Sequence, residues 1–312
     1  MKMIRILLCI LFLSFSGAEK LIAKVRVLTF QYNRADFVEF QAKAFKKFML
    51  DDYEIIVFND APNPQHEKEI REMCEKYGIQ CVRFEQNWHA TDPLNALIRT
   101  WVDASFYRNS YFQFPLENGR VKLEAVAQQC SIRHCHVIQY ALENFGYDHD
   151  DIVVVFDGDA FPIQAVSIRE LTQDAPLIGV DSEFKTMHYF WVPFIAFDPR
   201  RLPDIRELKL HVGIIDDLIC DTGSYSYQYI KDHPEVNYRL YPRRNDYDFF
   251  PWDSLTFLNF GFHPELAKIT WPVGLEYYVD YHFMHFTGGS NPIHSWQKQQ
   301  GLLDFLHTVL EE

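Results

Sequence analysis

Ile152-Val153-Val154-Val155-Phe156-Asp157-Gly158-Asp159-Ala160-Phe161 is the stretch whose reading decides the fold. Four β-branched residues and a phenylalanine, with no charge among them, predict a strand buried on both faces, as in a parallel sheet. Two carboxylates come next, at its C-terminal end. In open α/β sheets ligands bind at that edge, and Asp-x-Asp holds two hard oxygen donors close enough to share one divalent cation. Such a cation can bridge to the phosphates of a nucleotide.

The residues downstream of the motif remove two competing readings. An EF-hand loop starting at Asp157 needs an acidic or amide residue at its fifth position, Gly at its sixth and Glu at its twelfth; Phe161, Pro162 and Ile168 stand there. An aspartyl-phosphate phosphatase typically carries Thr or Val where Phe161 stands and places its motif near the start of the chain. The plain alternative is a strand end whose aspartates only cap the next helix. No Gly-x-Gly-x-x-Gly follows the first strand, and no P-loop or Gly-x-Ser-x-Gly elbow occurs.

Upstream, Val25–Phe30 reads as a strand, Gln31-Tyr32-Asn33-Arg34 as a turn and 37–50 as an amphipathic helix. Tyr53–Phe58 is a second strand ending in Asn59-Asp60-Ala61-Pro62. A helix over 67–77 stops at Gly78, and 80–84 is a third strand. This βαβαβ order implies right-handed crossovers and a parallel sheet. Residues 87–119 are aromatic-rich and irregular, and a long helix is expected over 122–145. Within it, Cys130, His134 and their neighbours invite a zinc reading, but no second ligand pair with zinc spacing accompanies them. Downstream of Pro162 the strands 177–180, 190–197 and 238–241 are separated by Pro, Asp and aromatic residues, as in a less regular mixed sheet that forms the other wall of a cleft.

The chain has 312 residues, 48% of them hydrophobic and 16% aromatic, enough for a large core. A formal charge of −13 without a Lys/Arg run argues against nucleic acid as partner. An acidic protein whose ligand is a diphosphate needs a local cation. Met1–Arg5 is a short basic region, followed by an apolar stretch of about 10 residues and Ser16-Gly17-Ala18, the layout of a cleavable signal peptide and short of the ~20 residues a spanning helix needs. The expectation is a secretory-pathway or exported protein with no integral span after cleavage; anchoring by an uncleaved signal is the alternative. Of six cysteines, five remain after cleavage, and their spacing chooses no disulfide pairs.

Together these residues resemble the GT-A glycosyltransferases, whose order is a nucleotide-binding βαβ half, an Asp-x-Asp strand end and an acceptor half. The resemblance implies an α/β, Rossmann-like open mixed sheet flanked by helices in one large domain. Residues 1–18 would be the signal peptide, 19–165 the nucleotide-sugar-binding half and 166–312 the acceptor-binding half. It implies that Asp60 contacts the base or ribose, that Asn33 and Arg34 border the nucleotide, that Arg133 points toward the donor and that Asp157 shares in donor binding. His285-Phe286-Thr287-Gly288-Gly289-Ser290-Asn291-Pro292 is similar to the His-Phe-x-Gly-x-x-Lys-Pro-Trp segment of the glycogenin-like retaining transferases. That likeness makes His285 the third metal ligand beside Asp157 and Asp159, with His282 as the fallback. Asn291 stands where that family has Lys, which opens the retaining or inverting outcome.

The expected function is metal-dependent transfer of a sugar from a nucleotide-diphosphate donor, a UDP-sugar first, to a glycan, protein or lipid acceptor, with Mn2+ or Mg2+ as cofactor. Asp221 and Asp253 are the candidate catalytic carboxylates; Asp221 is preferred for its loop of small residues, with a helix N-cap for 225–231 as its plain reading. Trp191, Trp252 and Tyr189 could stack on sugar rings. A phosphate-handling hydrolase or nucleotidyltransferase, and a noncatalytic carbohydrate- or Ca2+-binding module, are the alternatives.

Overall fold

Strand and helix alternate through the first part of the chain as the hydrophobic pattern requires. The computed structural model describes residues 24–85, 101–103, 120–122, 130–184, 187–211, 214–215, 218–219, 221–245, 275–286, 307 and 310. Strand β1 (Val25–Gln31) leads to helix α1 (Ala35–Phe48), β2 (Tyr53–Asn59), helix α2 (Pro64–Tyr77) and β3 (Gln80–Arg83). Helix α2 is punctuated at both ends. The Asn63 side chain accepts from the His66 N–H at 3.0 Å, Pro64 starts the helix, and Gly78 stops it at a φ of 66°. Helix α1 begins two residues before the expected Phe37 and ends at Phe48, not Leu50. Leu50 donates its N–H to the Val166 carbonyl at 2.9 Å, which draws the chain out of the helix and leaves the Leu50 side chain exposed.

Short strands β4 (Trp101–Asp103) and β5 (Arg120–Lys122) form an antiparallel pair. Lys122 therefore belongs to a strand. The long helix expected from that position is described from Cys130 to Ala141 (α3), and closes in a wider turn over Leu142–Gly146. Next come β6 (Ile152–Phe156) and β7 (Ala160–Pro162), then helix α4 (Ile168–Leu171), β8 (Leu177–Phe184) and β9 (Met187–Phe197). The chain continues through β10 (Ile214–Ile215), β11 (Leu218–Ile219), helix α5 (Ser226–Asp232), β12 (Tyr238–Tyr241), β13 (Arg244–Asn245), β14 (Leu275–Tyr278) and β15 (Phe283–Phe286).

The seven-stranded main sheet has the order β12-β8-β9-β6-β1-β2-β3. All neighbours but β9 run in one direction, so the sheet is mixed and mostly parallel, as expected. It draws strands from both halves of the chain. Side-chain alternation splits the core into two layers. Val25, Val27, Ile55, Val57, Ile152, Val154 and Phe156 pack toward Val38 and Phe45 of α1 and Ile70 and Cys74 of α2. Leu28, Phe30, Ile56, Phe58, Val153 and Val155 pack toward Val137, Ile138 and Ala141 of α3. Strand β6 is buried along its whole length, which explains its uninterrupted apolar run. Cys74, Cys81 and Cys135 are free thiols.

A second sheet, in the order β13-β14-β15-β7, is antiparallel throughout. The chain thus leaves the main sheet at Phe156 and enters the second at Ala160. Asp157-Gly158-Asp159 is the junction between them.

Candidate metal centre at the sheet junction

The sheet order puts this junction where a ligand belongs. From β1 the connections run outward to β2 and β3, while β6 lies on the opposite side of β1; ligands bind outside the strand ends at such a reversal. Two side chains hold the junction in place. A buried Gln41 on α1 donates its Nε2 to the carbonyls of Asp157 at 2.8 Å and Ala160 at 3.1 Å, while its Oε1 accepts from the Thr29 hydroxyl at 3.0 Å. Gln31, the last residue of β1, donates Nε2 to the Gly158 carbonyl at 2.9 Å. Gly158 itself passes so close to β1 that a Cβ would lie 1.9 Å from the Phe30 carbonyl oxygen, so only glycine fits without moving the backbone.

Strand β15 delivers the third functional side chain. Its register sets His285 opposite Ala160, and the Phe286 N–H bonds the Asp159 carbonyl at 2.9 Å. His285 Nε2 then sits 3.1 Å from Asp159 Oδ1 and 3.7 Å from Asp157 Oδ2. One ligand atom from each of Asp157, Asp159 and His285 falls within 4.8 Å of the others; this is the one such group among the described residues.

The imidazole is fixed from behind. Across the β14–β15 hairpin Glu276 pairs with His285, and Glu276 Oε2 lies 3.1 Å from His285 Nδ1. The Tyr278 hydroxyl donates to Glu276 Oε2 at 2.7 Å and also contacts His285 Nδ1. A carboxylate on Nδ1 holds the ring so that Nε2 faces the aspartates, the arrangement that orients a histidine toward a metal. Trp191 closes one side, its ring 5.5 Å from the imidazole and nearly perpendicular to it. The hairpin turn runs through Val279, Asp280 and Tyr281, all at positive φ between 50° and 69°, a strained path for non-glycine residues.

The electrostatics reflect the crowding of charge into a buried space. Burial pushes Asp157 above the usual carboxylate range, and Asp159 pushes it further, against the pull of His134 and His285. Burial disfavours the charged form of His285, but the charge of Asp159, its hydrogen bond and that of Glu276 outweigh it and hold the imidazole up to about 10. Burial opposes ionisation of Glu276 as well, yet its bonds to His285 and Tyr278 bring it below the usual range. Tyr278 is raised by burial and by Glu276. A proton on His285 supplies the positive charge that the paired aspartates need. Two carboxylate oxygens and one imidazole nitrogen form a donor set that could hold a divalent ion, and the nitrogen suits Mn2+ better than the oxygen-preferring Mg2+.

Those of the other singled-out residues that the structure describes are in different states. Arg133 binds Asp60 through Nε at 2.7 Å and Nη2 at 3.0 Å, and its guanidinium stacks 4.1 Å over the Tyr32 ring. Arg34 is joined to Asp36 at 2.8 and 2.6 Å and stacks on Phe37. Asn33 sits in the turn between β1 and α1. Asp221 is exposed and accepts from the Thr222 N–H at 2.7 Å; helix α5 starts at Ser226 with no side-chain cap, so Asp221 does not cap it. Its loop docks on β9 through Gly223, where a Cβ would lie 2.1 Å from the Phe190 carbonyl, and through Ser226, whose hydroxyl accepts from the Phe190 N–H at 3.0 Å. Since β9 runs antiparallel to β6 and pairs Phe194 with Phe156, Phe190 lies beyond the end of β6, on the side of Asp157. His282 lies in the hairpin turn and bonds its N–H to the Val279 carbonyl. Tyr189 is buried; Asp253, Trp252 and Asn291 lie outside the described residues.

Gln31, Gln41, Gly158, Trp191 in its contact with His285, Glu276, Tyr278 and His134 are functional neighbours that sequence reasoning did not place. His134, considered for zinc with Cys130, instead stands with Nε2 3.3 Å from Asp157 Oδ1, without hydrogen-bond geometry.

No family model and no curated protein matches the sequence. Among solved structures the chain is similar to the mannosyltransferase PcManGT from Pyrobaculum calidifontis in complex with GDP-Man and Mn2+, at 12% identity and a TM-score of 0.40, over 72% of this chain and 56% of that one. It is also similar to the galactosyltransferase LgtC in complex with donor and acceptor sugar analogs, at 12% identity and a TM-score of 0.41, over 91% of this chain and 95% of that one. The chain thus spans little more than half the length of the mannosyltransferase. At these scores the functional argument rests on the site itself.

Proposed function

We propose that the protein is a metal-dependent glycosyltransferase of the GT-A type, moving a sugar from a nucleotide-diphosphate donor, a UDP-sugar in the first instance, to a glycan, protein or lipid acceptor. The observation that carries this reading is the convergence of Asp157, Asp159 and His285 within 4.8 Å at the reversal point of the sheet. These three residues would hold Mn2+ or Mg2+, which when bound supplies Lewis-acid stabilisation to the departing nucleotide diphosphate.

The chain's own residues take the remaining roles. Asn33 and Arg34 border the nucleotide at the end of β1, and Asp60, steadied by Arg133, contacts ribose or base. Glu276 and Tyr278 orient His285, and Gln31 and Gln41 fix the backbone that carries the two aspartates. Asp221, exposed on a loop at the same edge, is the candidate to take the proton of the acceptor hydroxyl in an inverting transfer or to face the sugar in a retaining one; Asp253 is the second candidate. A signal peptide over 1–18 would bring such an enzyme to its donor inside a secretory compartment or after export.

The test is a screen of nucleotide-sugar donors with Mn2+, monitoring nucleotide release with and without acceptors. Metal-dependent release from one donor is the expected result. Release of phosphate or pyrophosphate would select the hydrolase or nucleotidyltransferase instead, and saturable sugar or Ca2+ binding without turnover would select the noncatalytic module.

A further inference from the structure

We infer that Arg243 is the side chain that contacts the donor's diphosphate beside the metal centre. The inference rests on the glycosyltransferase reading and names a residue that the reading itself leaves out. A divalent ion held by two aspartates has its charge cancelled by them, so a diphosphate arriving at that ion needs a further cation nearby. Two of the arginines at this edge are committed elsewhere: Arg34 forks onto Asp36 and Arg133 onto Asp60.

Arg243 is placed differently. It directly precedes β13, which pairs with β14, and so stands beside the hairpin that carries Glu276 and His285. Its guanidinium lies 4.7 Å above the ring of Trp191, the residue packed edge-on against His285. Its contact with Glu276 is long, 3.9 Å from Nη1 to Oε1, and Glu276 already binds Tyr278 and His285 through its other oxygen. Among the described residues no carboxylate grips its guanidinium in a two-bond fork, and the one it approaches is held by other partners. With 37% of its side chain exposed, it is open to solvent while its guanidinium carbon lies over the Trp191 ring. A cation held over a ring keeps its hydrogen-bonding capacity, and a guanidinium fork matches phosphate oxygens two at a time.

The experiment is calorimetric titration of UDP and of GDP into the full chain with Mn2+, for wild type, Arg243→Ala and Arg243→Lys. Mn2+ affinity is measured separately by electron paramagnetic resonance, and the thermal midpoint is recorded. Arg243→Ala should weaken the nucleotide that wild type binds by about tenfold to a hundredfold, the range of a lost charge-assisted pair, with Mn2+ affinity and thermal midpoint unchanged. Arg243→Lys should recover part of the loss, as a point charge without the fork. If Arg243→Ala binds that nucleotide as tightly as wild type, or loses Mn2+ affinity in the same proportion, the assignment is overturned while the glycosyltransferase reading stands. If wild type binds neither nucleotide in the presence of Mn2+, the reading falls and the role of Arg243 falls with it.

Discussion

Asp60 and the pair Asp157–Asp159 occupy equivalent places, each just past the C-terminal end of a parallel strand, yet each is neutralised by different chemistry. Asp60 is gripped by the Arg133 guanidinium, whose N–H groups only donate and which cannot bind a metal. Asp157 and Asp159 face imidazoles from His285 and His134. An imidazole can give up its proton and become a ligand. The first arrangement is a fixed ion pair that takes up no metal. The second can exchange a proton for an ion, and Glu276 behind His285 keeps the ring aimed during that exchange.

The largest effect expected from this contrast is on the exchanging side. Asp159→Ala should lower metal-dependent donor turnover about a thousandfold or more, a loss of roughly 4 kcal/mol of transition-state stabilisation, with the circular dichroism spectrum unchanged. Full activity in that variant, purified free of other transferases, would erase the distinction between the two aspartate sites. On the ion-paired side the effect should appear in stability. Arg133→Met strands the buried Asp60 carboxylate and should cost about 3 kcal/mol in urea unfolding, while Mn2+ affinity holds. A fall in Mn2+ affinity without a change in stability would place Arg133 in the metal site instead.

Much of this architecture is legible in the sequence because it is local. The runs Val25–Phe30, Tyr53–Phe58 and Ile152–Phe156 carry their own strand signal, and Gly78 and Asn63 mark the ends of α2 without tertiary context. What the residues alone do not reveal is assembled over long distances. Glu276 and Tyr278 are polar and aromatic residues in an unremarkable segment until β14 pairs with β15; His285 meets Asp159 across 126 residues. Only the resemblance of its segment to known transferases singles it out. In the sequence Gly158 is the unassigned middle letter of Asp-x-Asp, and the reason it is glycine, the approach of β1 to within 1.9 Å of where a Cβ would sit, is a packing fact. The apolar spacing of helix α3 extends upstream and predicts its start at Lys122, but Lys122 pairs with Trp101 instead, so strand pairing overrides local propensity there.

Two changes at the junction sharpen the comparison by loosening the site without touching its ligands. Gly158→Ala forces the backbone off β1 and should cost about 2 kcal/mol of stability together with a loss of Mn2+ affinity. Were both to stay at wild-type values, the tight passage beside Phe30 would have no role in placing the aspartates. Glu276→Gln keeps the shape of the hairpin and removes the charge behind His285. It should weaken Mn2+ about tenfold, read by electron paramagnetic resonance, with little change in Asp60 or its partner.

The smallest effect concerns a carboxylate outside the metal cluster that, like Asp60, is held by cations. Glu39 on α1 accepts from Lys43 at 2.9 Å, from Tyr77 at 2.8 Å and from Lys76 at 3.4 Å, tying α1 to the end of α2. The Lys43 bond, more than any other cause, brings Glu39 down to about 2, against the burial that opposes it. A carboxylate depressed in the folded state stabilises above its unfolded value and loses that contribution as pH falls through the folded one. Glu39→Gln should therefore be less stable than wild type by under about 1 kcal/mol near neutrality, since the group is partly screened by solvent, and the gap should close as pH falls from about 4.5 toward about 2. Urea midpoints of the two proteins across that range measure it. A gap that persists at the acid end would mean that the amide disturbs packing between the helices, and that Glu39 is not a charge-held counterpart of Asp60.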